Sequence, residues 1–134
     1  MIAREDKVGF PTEYKYTKDH EWINLNAEGN LAIVGITDFA LEQLGDIVHL
    51  ELPEVGDSFD AGASFGTIES TKTVSDLYMP VSGVVKAINE DVANDLDSLT
   101  AAPYTTSWLI KIEPANTDGE LLSAQEYEDF TKEE

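Results

Sequence analysis

From His20 to about Glu90, apolar positions come in short runs that alternate with polar ones or are rich in β-branched residues, and Gly, Pro, Asn and Asp break them up. A period of two argues for strands with one buried face, so the pattern predicts a β-rich domain. The segments that fit are residues 21–25, 31–36, 47–52, 64–70, 73–79, 83–89 and 107–112. Residues 26–30, with Gly29 among them, read as a hairpin loop, and residues 53–56 as a further turn. Two β-rich halves meet at residues 70–74, which suggests a hairpin near the middle of the chain.

Two helices interrupt the strands. Thr37 or Asp38 can cap a short helix whose apolar residues Phe39, Ala40, Leu41 and Leu44 precede Gly45, suited to a left-handed C-cap. Near the end, Ser123 and Glu126 have capping-box spacing, Tyr127 and Phe130 share a helical face, and the acidic tail beyond Phe130 is predicted to fray. Residues 91–106 are mixed: Val92, Leu96 and Leu99 could line a helix, but Pro103 cannot continue one. An irregular stretch with a helical turn is the expectation there.

Composition narrows the class. The chain has 134 residues, of which 42% are hydrophobic and 9% aromatic, so one globular domain is expected over residues 1–134, its core at about 14–130 and its termini flexible. No run of eighteen apolar residues occurs, and residues 1–17 lack the features of a signal or transit peptide, which predicts a cytoplasmic protein with no membrane partner. With no cysteine there are no disulfides, thiol nucleophiles or thiolate metal sites. The net charge of −19, with only eight Lys and Arg, argues against nucleic acid as a partner. The acidity serves either solubility or steering toward basic patches on partner proteins.

Conventional catalytic signals are missing. His20 and His49 lie far apart with no ligand spacing, so no metal site is expected. Residues 62–66 lack the Lys and following helix of a phosphate loop, and no Ser has a convincing base. Trp22 and Trp108 read as core or groove-wall residues.

Lys72 stands out by isolation: between Lys18 and Lys86 it is the only Lys or Arg. An amine destined for acylation must be exposed and free of a committed carboxylate, and a turn between strands holds it clear of the body. Composition alone leaves Lys72 an ordinary surface lysine. Its neighbours change that. Glu69, Ser70, Thr71 and Lys72, then Ser75 and Asp76, then Pro80, Val81, Ser82 and Gly83, resemble the lipoylation motif of the glycine cleavage system H protein family. Further blocks similar to that family follow its order: His20, Glu21 and Trp22; Val34 to Asp38; Leu44, Gly45 and Asp46; Glu51, Leu52 and Pro53; Pro103 and Tyr104; Trp108 and Leu109. Biotin carriers present a lysine on a similar hairpin, but there Met flanks it, and here the neighbours are Thr71 and Thr73.

The resemblance implies an all-β fold, a flattened barrel (barrel-sandwich hybrid) of the lipoyl/biotinyl-carrier type, with two small antiparallel sheets, a short internal helix and a C-terminal helix. It implies lipoic acid in amide linkage on Lys72, with Glu69, Ser70 and Asp76 recognised by the lipoate-attaching enzyme. The protein would be a carrier and no enzyme, a monomer serving three partners. A pyridoxal-phosphate glycine decarboxylase loads an aminomethyl group, a tetrahydrofolate-dependent aminomethyltransferase unloads it, and dihydrolipoamide dehydrogenase reoxidises the dithiol. A cleft would shelter the loaded arm, with Glu21 and Asp76 holding its amine. The alternative is an H-like relay that passes lipoate to other acceptors. The chain departs from the family pattern at Thr71, Ala101, Ala102 and Ser107, and none of these departures removes the acceptor amine.

Overall fold

The structure, a computed structural model, describes residues 10–25, 30–115 and 120–132. Most of the loop expected at 26–30 and the first nine residues fall outside that range. The described strands are β1 (Lys15–Tyr16), β2 (Glu21–Asn24), β3 (Ala32–Ile36), β4 (Ile47–Glu51), β5 (Ser58–Phe59), β6 (Ser64–Ser70), β7 (Val74–Tyr78), β8 (Gly83–Ile88) and β9 (Ile110–Pro114). They pair antiparallel in two sheets, one in the order β1-β2-β3-β9-β8-β5 and the other β4-β6-β7. This is the β-rich architecture that the alternation predicts, in the two antiparallel sheets that the resemblance implies.

The core lies between the sheets. Ile23, Val34, Ile36, Val85, Ile110 and Ile112 of the larger sheet meet Leu50, Phe65, Ile68 and Leu77 of the smaller one, all buried. Each such side chain stabilises the fold by about 1.5–3 kcal/mol relative to exposure. Trp22, pointing from β2 to the opposite side from Ile23, joins Tyr16, Ala124 and Tyr127 in a second cluster, on which Phe10 also packs.

The differences from expectation have local causes. Strands β1 and β5 span two residues each, too short to show a period. The last strand starts at Ile110 instead of 107 and runs on to Pro114, because the Asn89 amide donates to Thr106 O (3.0 Å) and Trp108 O (2.7 Å) and holds that stretch off the sheet. The mixed stretch before it is more regular than expected. Helix α2 (Glu90–Asn94) is capped by Asn89, and a 3-10 turn over Leu96–Thr100 follows, with Val92 and Leu99 turned into the core.

Helix α1 (Asp38–Leu44) starts at Thr37, whose hydroxyl accepts the Ala40 N–H. Helix α3 (Ala124–Lys132) opens on the reciprocal bonds of its capping box, Glu126 N–H to Ser123 Oγ at 3.1 Å and Ser123 N–H to Glu126 Oε1 at 2.9 Å. It continues past Phe130, where fraying was expected, supported by Lys132 lying 3.5 Å from Glu128 one turn back. Among the described residues no helix is long and apolar enough to cross a membrane.

Candidate functional site

Strands β6 and β7 are joined by a tight turn with Thr71 and Lys72 at its tip. Ser70 builds it: its N–H donates to Thr73 O at 2.8 Å, and its buried hydroxyl oxygen accepts the N–H groups of Lys72 (3.1 Å) and Thr73 (3.2 Å). The Thr71 N–H donates to Asp46 O at 3.0 Å, which pins the tip to the loop following α1. Lys72 is exposed, and among the described residues no carboxylate pairs with its ammonium.

That loop turns on Gly45, which ends α1 with φ +82° and ψ −140°. The expected cap was left-handed helical. The observed ψ puts Gly45 in the mirror image of the extended region, which is open to glycine and closed to other residues. The unusual turn brings Asp46 under the hairpin tip and Gly45 alongside the Lys72 stem.

A groove of about 260 Å³ opens beside the hairpin. Ile36, Ala40, Leu44, Ile68 and Leu77 give it an apolar floor, and Asp19, His20, Gln43, Thr73, Ser75 and Asp76 a polar rim. A larger hollow of about 320 Å³, lined by Thr17, Lys18, Asp19, Gly62, Met79 and Glu120 among others, includes no residue of the turn. The chemistry follows the smaller one, because only that groove is continuous with Lys72's own hairpin, through Thr73.

The sequence-predicted residues take distinct positions. Asp76 is exposed at the groove rim, with its two oxygens 3.4 Å from the hydroxyls of Ser64 and Tyr78, and its charge pushes the Tyr78 hydroxyl pKa up. Glu69 lies half-buried on the strand leading to the turn, in register with His49 on one side and Val74 on the other. Glu21 is elsewhere. It is 1% exposed and does not line the groove; Oε1 accepts the Thr17 hydroxyl at 2.8 Å and Oε2 the Tyr78 N–H at 3.1 Å, so it ties the larger sheet to the smaller. Burial raises its pKa to about 8, against the pull of those two hydrogen bonds and with some help from the charge of Asp19.

Sequence reasoning assigned no groove role to the rest of the rim, Asp19, His20, Gln43, Thr73 and Ser75. His20 has φ +71°, set by a turn in which its N–H donates to Thr17 O at 3.1 Å. It also missed how the loop at 100–107 is used. Tyr104 donates its hydroxyl to Asp38 Oδ1 at 2.6 Å and accepts the Asp38 N–H at 3.1 Å, fixing the start of α1. Of the departures, Ser107 is buried and donates to Ser98 O, Ala101 and Thr71 are exposed, and neither Ala101, Ala102 nor Ser107 lines the groove.

Comparison with known proteins identifies the family. The profile of the family described as glycine cleavage H-protein matches residues 14–134. A glycine cleavage system H protein from Carboxydothermus hydrogenoformans is 49% identical over 126 residues, covering 92% of this chain and 95% of that protein. One from Streptomyces coelicolor is 48% identical over 120 residues, covering 90% and 95%. The crystal structure of a glycine cleavage system H protein from Mycobacterium marinum superposes with a TM-score of 0.86 at 42% identity, over 92% of this chain and 99% of that one. The chain thus belongs to the glycine cleavage H-protein family.

Proposed function

We propose that this chain is the lipoyl carrier of a glycine cleavage system, itself without enzymatic activity, and that Lys72 is the residue acylated by lipoic acid. The observation that carries the reading is an exposed lysine with no ion pair among the described residues, at the tip of a pinned hairpin, next to a groove with an apolar floor and a polar rim that includes two carboxylates. The residues fit the group: the floor suits a hydrocarbon chain and dithiolane ring, and the amine at the tip is free to form the amide. When bound, lipoate supplies a disulfide that opens to two sulfurs, one of which can carry an amine-bearing one-carbon unit.

The chain's own residues then have separate tasks. Ser70 shapes the turn, so the lipoate-attaching enzyme reads its effect through backbone geometry, while Glu69 and Asp76 offer charge on either side of Lys72. Ile36, Ala40, Leu44, Ile68 and Leu77 exclude water from whatever lies along the floor. Asp76 at the rim is placed to accept hydrogen bonds from an ammonium in the groove. Glu21, buried and held by Thr17 and Tyr78, keeps its proton below about pH 8 and so adds no negative charge to the groove there; direct contact with the arm needs a rearrangement of the Thr17 turn.

The partners on this reading are glycine decarboxylase, aminomethyltransferase, dihydrolipoamide dehydrogenase and the lipoate-attaching enzyme. Tethering presents the same cofactor to three active sites at high effective concentration, and the charge of −19 favours encounter with basic docking surfaces. Intact-mass measurement of protein purified from its native host under lipoate-replete conditions tests the assignment. A lipoyl-sized increment is expected in the wild type and none in Lys72→Arg; an unmodified wild type would overturn it. Glycine–bicarbonate exchange with the decarboxylase separates a glycine cleavage carrier from a lipoate relay.

A further inference from the structure

Two walls of the groove come from separate segments: the turn at 17–20, which contributes Asp19 and His20, and α1, which contributes Ala40, Gln43 and Leu44. Both are fastened to one buried atom. The Tyr127 hydroxyl on α3 stands 2.7 Å from His20 Nδ1 and 2.8 Å from Thr37 Oγ1, and Thr37 is the α1 cap that accepts the Ala40 N–H at 3.3 Å. The Tyr127 hydroxyl can donate to one neighbour while accepting from the other, so the three groups form one hydrogen-bonded chain. Tyr127 is fully buried and lines neither hollow.

The surroundings leave these groups little freedom. The Tyr127 ring stacks on Tyr16 at 4.9 Å and meets Phe10 edge-on at 4.7 Å. The His20 ring has Phe39 at 5.3 Å and Phe130 at 5.8 Å. His20 holds φ +71°, a backbone state that a non-glycine residue keeps only where its environment over-determines it. Ring packing alone would dock α3. The walls, 17 residues apart at His20 and Thr37, are already joined by the Thr37 N–H donating to His20 O at 3.0 Å; the hydroxyl adds a second, side-chain link, which fixes the His20 ring and the α1 cap from 107 and 90 residues away.

We infer that Tyr127 is a positioning residue for the carrier's loaded arm: its hydroxyl holds the His20 ring on one groove wall and the Thr37 cap of the other in fixed orientation, and so governs how well the groove shields the arm. This rests on the reading that the lipoyl-lysine arm shelters in that groove. What shielding prevents is addition of water to the aminomethyl thioether, which breaks the S–C bond and yields the thiol, formaldehyde and ammonia.

The test uses lipoylated full-length protein loaded from glycine by the decarboxylase and then separated from it, with formaldehyde release followed over time. Free aminomethylated dihydrolipoamide is the reference. Tyr127→Phe keeps the ring and removes the link; with the contacts to both His20 and Thr37 lost, it is expected to release formaldehyde at least about tenfold faster than wild type, with the lipoyl mass retained. His20→Asn and His20→Gly both tolerate the positive φ, but only Asn can hydrogen-bond the Tyr127 hydroxyl from near the Nδ1 position. Asn is therefore expected to release more slowly than Gly, and this pair decides the matter should Tyr127→Phe fail to fold. Wild-type release as fast as the free reference would remove the sheltering reading itself. A shielded wild type with Tyr127→Phe unchanged, or with Asn and Gly indistinguishable, would overturn the role of Tyr127 alone.

Discussion

Gly45 lies against the stem of Lys72: a Cβ built on the glycine would stand 3.4 Å from Lys72 Cε and 3.8 Å from Nζ. Those are ordinary van der Waals separations, so the lysine itself does not forbid a methyl group there. The backbone does, because φ is +82°. Gly45→Ala is accordingly expected to lose about 1–3 kcal/mol of stability through backbone strain. Urea denaturation should show the lower midpoint, while mass spectrometry should still find the folded variant lipoylated. A wild-type midpoint would mean that the α1 end is free to adopt another conformation.

Ser70 makes a different kind of contribution to the same hairpin. Its hydroxyl oxygen accepts two N–H groups at 3.1 and 3.2 Å. Those donors sit at the hairpin tip, where Thr71, Lys72 and Thr73 are all exposed, so water can replace the lost acceptor. The stability cost of Ser70→Ala is therefore about 1 kcal/mol, well short of the penalty for an orphaned buried donor. The larger consequence concerns turn shape. A time course of lipoyl incorporation by the attaching enzyme should slow severalfold, even in protein that is as folded as wild type by circular dichroism.

These two residues also mark what can be read from sequence. The Lys72 hairpin was legible because a lone cation at the junction of two alternating segments is a local signal, and Ser70 beside it belongs to a compact motif. The long strands were legible because each has one face in the core, as with Ile68 of β6 and Leu77 of β7. Glu21 was half-legible. It shares parity with Ile23 on β2, so alternation points it inward, but nothing local says that Thr17 and the Tyr78 N–H would be there to satisfy it. The link from Tyr127 to His20 and Thr37 was not legible at all, because no spacing rule connects contacts 107 and 90 residues apart.

The burial of Glu21 makes stability depend on pH in a definite direction. Its pKa is raised from 4.5 to about 8 in the folded protein, mainly by desolvation. Between those values the folded state holds a proton that the unfolded state has released. The group's contribution is thus fully present below about pH 4.5 and is lost as pH rises through 8. Against Glu21→Gln, which cannot titrate, the wild type should lose on the order of a few kcal/mol between pH 5 and 9. Denaturant titrations of both proteins across that range measure the difference, which cancels the repulsion common to both. A constant difference would show that Glu21 titrates near its ordinary value.

The last prediction separates the scaffold from the hairpin. Gly35 on β3 is directly opposite Trp22 on β2, and a Cβ there would lie 2.5 Å from Trp22 Cε2 and Cζ2. Side-chain movement could relieve such a clash at an open site, but this ring is held on several sides. Its Nε1–H donates to Pro103 O at 2.9 Å, Tyr14 stacks on it at 4.8 Å, and it is 1% exposed. Gly35→Ala is therefore expected to cost at least 1–3 kcal/mol, the usual range for overpacking, and to change the tryptophan fluorescence as Trp22 is displaced. The clash falls in the larger sheet, whereas Lys72 hangs on the smaller one. Protein that remains folded at low temperature should still accept lipoate at close to the wild-type rate. If lipoylation instead fell in step with stability, the two sheets would be coupled more tightly than Glu21 and the shared core require.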